Sequence, residues 1–161
     1  MNSPHHPLPY PDTDGMIKMP SLAARVASVR SLELEAISDH IYFTLIFEKS
    51  APVLSELFEK LARSEMEHFL LLGKMTVALG GDPAIKPRTR GHGQIERSTK
   101  WQGAPCQALK LALDREKCIL ESYEGLLDTF SHDQVARALL ERIMLDKEHY
   151  AKMLSRAVAG S

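Results

Sequence analysis

Cysteine is scarce in this 161-residue chain: Cys106 and Cys118 are the only two, and they form no Cys-x-x-Cys. A metal site built from thiolates is therefore excluded, and two thiols without a disulfide framework fit a reducing compartment. Excess charge is missing too. Twenty Lys and Arg face 21 Asp and Glu, the net charge is −1, and the basic residues are dispersed, so neither nucleic acid nor an anionic membrane is expected as a partner. No apolar run is long enough to span a bilayer. The opening Met-Asn-Ser-Pro-His-His-Pro-Leu-Pro-Tyr-Pro has no basic start and no apolar stretch, so it does not read as a secretion signal. A cytoplasmic protein is the expectation.

What is present suits one domain with a full-sized core, at 44% hydrophobic and 25% charged residues. Residues 1–20 hold five of the nine prolines and predict an extended arm. His5 and His6 lie in it, as a solvated pair or a terminal metal trap. Residues 21–159 predict four helices. The first, from Ser21 to about Lys49, carries a stripe at Leu22, Val26, Val29, Glu33, Ala36, His40, Phe43 and Phe47. After Ser50-Ala51-Pro52, a second runs to Leu79 with Leu54, Phe58, Leu61, Glu65, His68, Leu72 and Met75, and stops at Gly80-Gly81-Asp82-Pro83.

Residues 80–104 show no periodicity and read as a long crossover, which Trp101 would anchor to the bundle or, less simply, offer to a ligand for stacking. The third helix, Pro105 to about Phe130, has Leu109, Ala112, Glu116, Ile119, Tyr123 and Leu126 on its stripe. The fourth, to about Val158, is read with Val135, Leu139, Arg142 or Ile143, Asp146, His149 and Met153 facing inward. Two hairpins joined by one crossover predict an all-α four-helix bundle.

The polar members of these stripes carry the chemistry. Glu65 and His68 sit one turn apart on a buried face, where a lone carboxylate is costly unless something compensates it. By itself the pair could be a salt bridge. Its partners repeat it: Glu33 and Glu116 are 83 positions apart, while Glu65 and Asp146, like His68 and His149, are 81 apart. One Glu from each of two helices plus a carboxylate-x-x-His from each of the others is the ligand set of a dinuclear carboxylate bundle. Four carboxylates and two imidazoles suit two iron ions, or manganese as the alternative. On this reading Glu33 and His68 hold one metal, Glu116 and His149 the other, and Glu65 and Asp146 bridge. His40 and Tyr123, each seven residues beyond a ligand, are expected to hydrogen-bond the carboxylates, with His40 an alternative ligand. Glu121 and Glu124 are expected in solvent, and Cys118 as a packed free thiol.

These residues resemble the ferritin-like superfamily of bacterioferritin, rubrerythrin, encapsulated ferritin and manganese catalase. Glu33-Leu-Glu-Ala-Ile37 is similar to a first-helix Glu-Leu-x-Ala-Ile motif, and Glu65-Met66-Glu67-His68 to the bacterioferritin Glu-Met-x-His, within a resemblance covering residues 21 to about 155. The resemblance implies oxidation of ferrous iron by oxygen or peroxide. The alternatives are manganese-dependent peroxide disproportionation and non-enzymatic iron storage. It also makes Met66 a candidate haem ligand, though an interface methionine looks the same. Four departures stand out. His40 replaces a tyrosine, Asp146 shortens a bridging carboxylate, no cysteine-rich iron domain is present, and only twelve residues follow His149. The last disfavours a 24-subunit shell and favours a homodimer or another homo-oligomer.

Overall fold

The computed structural model describes residues 9–85 and 101–161, so His5, His6 and most of the crossover lie outside the described residues. Four helices carry the fold: α1 (Pro20–Phe47), α2 (Pro52–Ala78), α3 (Pro105–Thr129) and α4 (Gln134–Ala159). The described residues contain no strand, and no helix is long and apolar enough to cross a membrane. The all-α bundle follows from four amphipathic runs that must each bury one stripe.

The ends of the helices are set locally. Pro52 and Pro105 occupy first-turn positions, where a missing N–H costs nothing. α1, expected from Ser21, starts one residue earlier, at Pro20, after Met19. Met19 is held by its N–H donating to the Leu79 carbonyl. Gly80, at φ +88°, turns the chain after α2 in a conformation that other residues resist. The Ala104 N–H donates to the side chain of Gln107 at 2.8 Å, closing the start of α3. Asp133 caps α4 by accepting from the Ala136 N–H at 3.0 Å.

Residues 9–19 are non-helical, as the prolines predict, yet they lie on the bundle. A turn closed by Met16 N–H to Thr13 O uses the positive φ of Gly15, and the Ile17 N–H donates to Asp133. Trp101 anchors the end of the crossover: its ring meets Phe43 edge-on at 5.1 Å, and its backbone N–H donates to the Tyr42 hydroxyl.

The interior is two apolar clusters with a polar layer between them. One gathers Val26, Val29, Leu72, Met75, Leu79, Ile119, Leu126 and Leu139, and the other Phe43, Phe47, Phe58, Leu61, Leu109 and Leu154. Glu33, His40, Glu65, His68, Glu116 and Lys147 are all buried. Along α1, α2 and α3 the buried residues track the expected stripes. Along α4 they do so only at Leu139 and Ile143. Ala136, Leu139, Leu140, Ile143, Lys147 and Leu154 are buried, one position on from the expected Val135, Asp146 and Met153. That register sinks Leu140 and Leu154, whereas the expected one would have buried Asp146 and His149 at the expense of those apolar side chains. Cys118 is exposed, against the expectation of a packed thiol.

Candidate metal centre

Each helix delivers its polar side chain to one layer because that residue falls where an apolar residue would otherwise stand. Glu33 and His40 descend from α1, two turns apart. Glu65 and His68 come from α2, one turn apart, and Glu116 and Tyr123 from α3. From α4 comes Lys147, which sequence reasoning passed over.

Lys147 sits among the carboxylates. Its Nζ lies 2.7 Å from Glu33 Oε2, 3.4 Å from Glu65 Oε1 and 3.4 Å from Glu116 Oε2. Burial alone would push the ammonium toward neutrality, but the three carboxylates hold it charged and raise its pKa. Burial likewise works to raise Glu33. Lys147, with His68 beside it, overrides this and keeps that carboxyl down at about 2. Glu116 goes the other way. Burial, reinforced by repulsion from Glu65, carries it to about 8 despite Lys147. Glu65 is also raised, chiefly by burial. One ammonium therefore satisfies Glu33 and leaves the other two carboxylates short of positive charge.

The histidines complete the layer. His40 Nδ1 is 2.7 Å from Glu65 Oε2, and its pKa falls to about 4 because burial disfavours the imidazolium, with Lys147 adding repulsion. His40 Nε2 and Glu116 Oε1 are buried without a hydrogen-bond partner. Orphaned buried polar atoms are uncommon and point to an absent ion or water. One ligand atom from each of His40, Glu65 and Glu116 lies within 4.8 Å of the others, a group that could hold a metal ion.

His68 Nε2 is 3.1 Å from Asp146 Oδ2, while Nδ1 stands 3.6 Å from Glu33 Oε1 and is also orphaned. Burial opposes protonation of His68, but the hydrogen bond to Asp146 and the Glu33 carboxylate raise its pKa. Tyr123, wholly buried, donates its hydroxyl to Glu33 Oε1 at 2.6 Å. Burial, followed by the Glu33 charge, keeps that phenol protonated.

Asp146 and His149, the expected ligands on α4, stay outside this cluster. Asp146 is partly exposed and accepts from Arg142 and from the Tyr10 hydroxyl as well as facing His68. The Arg142 guanidinium also stacks over the Tyr10 ring at 4.8 Å, so the N-terminal arm closes over this end of the layer. His149 is exposed, its ring edge-on to Tyr150 at 5.5 Å. Met66 faces outward, 47% exposed. Of the six expected ligands, Glu33, Glu65, His68 and Glu116 share the buried layer, Asp146 touches it through His68, and His149 is exposed. α4 turns Lys147 inward where that set requires a carboxylate, and the Arg142–Asp146 pair rests at the rim.

A bundle of this topology with carboxylates and histidines in its central layer is the architecture of ferritin-like proteins. The family model of the ferritin-like domain matches residues 34–159, and the chain belongs to that family. Among solved structures it is similar to the bacterioferritin of Desulfovibrio desulfuricans, a protein described with a di-iron site in different catalytic states. The identity is 20%, the match covers 86% of this chain and 78% of that one, and the TM-score is 0.73. At that identity the likeness is one of fold. No curated protein matches the sequence.

Proposed function

We propose that the protein binds a divalent transition metal at His40, Glu65 and Glu116, iron before manganese, and oxidises ferrous iron there with oxygen or peroxide. The observation that carries this reading is the convergence of His40, Glu65 and Glu116, with ligand atoms within 4.8 Å of one another, on residues two of which have an orphaned atom, His40 Nε2 and Glu116 Oε1. One imidazole and two carboxylates form a hard-to-borderline donor set, suited to iron and manganese. A bound iron would supply one-electron redox chemistry and a Lewis acid.

The chain's own residues prepare the place. Burial keeps His40 neutral, so one ring nitrogen has a lone pair to give. Glu116 holds a proton in the metal-free protein and releases it to become a ligand, so binding expels protons and weakens in acid. Lys147 and Tyr123 fix Glu33 from both sides. Tyr123, hydrogen-bonded to Glu33 in the same layer, can give up a proton and an electron together, and it is assigned to the oxidation step. A homo-oligomer is also proposed. α1 carries an outward line of exposed Leu34, Ile41 and Leu45, and α2 one of Met66, Leu70 and Val77, which a second copy could cover.

The reading is tested by anaerobic titration with ferrous iron, followed by stopped-flow mixing with oxygen or peroxide. The wild type should bind iron and oxidise it faster than free solution does. Glu116→Gln and His40→Ala should lose binding, while His149→Ala should match the wild type. Absence of iron binding by the wild type refutes the proposal.

A further inference from the structure

The buried half of α4 carries a second message. On α2 the inward residues one turn apart are Glu65 and His68. On α4 the residues 82 positions further along the chain are Lys147, which is buried, and Tyr150, which is partly covered. Glu33 and Glu116, like His40 and Tyr123, are separated by 83. A two-metal bundle takes Glu-x-x-His from both helices. This chain has Glu-x-x-His on one and Lys-x-x-Tyr on the other.

We infer that the Lys147 ammonium takes the place of one metal ion of a symmetric pair, so that the chain accommodates a single ion rather than two. The inference deepens the metal-binding reading above and rests on the same layer. Its geometric basis is the position of Nζ, 2.7–3.4 Å from a carboxylate oxygen of each of Glu33, Glu65 and Glu116. Three carboxylates converging on one cation is how a bundle would hold a metal, and here an ammonium has that place.

Charge balance agrees. Arg142 and His68 both face Asp146 at the rim, and His40, the imidazole among the proposed ligands, must be neutral to bind. Three buried carboxylates against one ammonium leave two negative charges. One divalent ion cancels them, whereas two would bury two uncompensated positive charges, a costly state in a low-dielectric interior. A centre carrying four carboxylates would balance with two dications. Among the described residues one group of ligand atoms, from His40, Glu65 and Glu116, lies close enough together to hold an ion. His68 Nε2 already faces Asp146 at 3.1 Å. Sequence inspection alone favours the dinuclear reading because Asp146-x-x-His149 mimics the missing motif one residue out of register.

The test is manganese loading of full-length protein under anaerobic conditions. It is read by metal analysis and by electron paramagnetic resonance, which separates an isolated ion from a spin-coupled pair. Wild type should saturate at one isolated manganese per chain. Lys147→Glu combined with Tyr150→His, which rebuilds Glu-x-x-His on α4, should hold one ion more and give the signal of a coupled pair. A coupled pair in the wild type overturns the inference, as does a folded double variant that gains no metal. If the double variant fails to fold without metal, the wild-type spectrum decides alone: an isolated ion supports the inference and a pair refutes it. A wild type that binds nothing while the double variant gains metal would overturn the metal-binding proposal yet uphold Lys147 as the occupant of a cation site.

Discussion

The α1–α2 hairpin buries Glu33, His40, Glu65 and His68. At matching depths the α3–α4 hairpin buries Glu116, Tyr123 and Lys147, with Tyr150 partly covered. The first half supplies two carboxylates and two imidazoles to the layer. The second supplies one carboxylate, one phenol and one ammonium. A polar layer in a bundle needs balanced charge and satisfied partners, and the two halves meet that need differently. On the first side negative charge and lone pairs accumulate. On the second a covalently attached cation answers part of them. What remains is concentrated on Glu65 and Glu116, with His40 beside them, and this is why one corner of the layer has orphaned atoms.

The strongest way to break this division is to remove the cation. Lys147→Met keeps the length of the side chain but leaves three carboxylates facing each other. Breaking a buried ion pair from one side costs about 3–5 kcal/mol, so the metal-free variant should lose about that much stability in urea unfolding. Manganese should recover a larger share of stability in the variant than in the wild type. A variant as stable as the wild type without metal would mean that Lys147 is not the charge that holds the layer.

A smaller effect is expected at Tyr123, which contrasts with His40 on the other hairpin. Tyr123→Phe removes a hydrogen bond to a buried carboxylate, worth about 1.5–3 kcal/mol. Ferrous iron oxidation should slow in stopped-flow measurements while the metal content holds. Oxidation at the wild-type rate would remove Tyr123 from the reaction and leave it a support for Glu33.

The mildest probe is pH. The Glu116 carboxyl is raised in the fold to about 8 from a reference value of 4.5, so its contribution to stability is complete below about 4.5 and is lost as pH climbs toward 8. His40, lowered to about 4, contributes above its reference value of 6.5 and loses that contribution on acidification, so it is constant above neutrality. His68 is raised and acts in the same sense as Glu116. Between pH 6.5 and 8 the melting temperature of the metal-free protein should therefore fall as pH rises. Metal should reverse the slope, because its ligands bind deprotonated. A metal-free melting temperature that rises steadily across that window would contradict the charge assignment.

Three helices were legible because their polar residues interrupt otherwise regular apolar stripes. Glu33 between Val29 and Ala36, Glu65 between Leu61 and Leu72, and Glu116 between Ala112 and Ile119 had nowhere to point but inward. α4 was misread because two cues disagreed. Asp146 and His149 had the spacing of ligands, while Leu140 and Leu154 placed the apolar face one residue further on. The apolar side chains prevailed, since burying them releases more free energy than burying an aspartate that Arg142 can serve at the surface. No local signal declares Lys147 to be internal. Its burial depends on carboxylates from three other helices, and only the 82-residue offset from Glu65 hints at it. The Tyr10–Asp146 contact was beyond reach for a similar reason, because an arm without periodicity carries no register.

The most direct test of the account is anomalous diffraction from crystals of the manganese-loaded protein. One peak bonded to His40, Glu65 and Glu116, with the Lys147 ammonium still on Glu33, is the predicted result. A peak bonded to Asp146 and His149, or two peaks in the layer with Lys147 displaced, would contradict it.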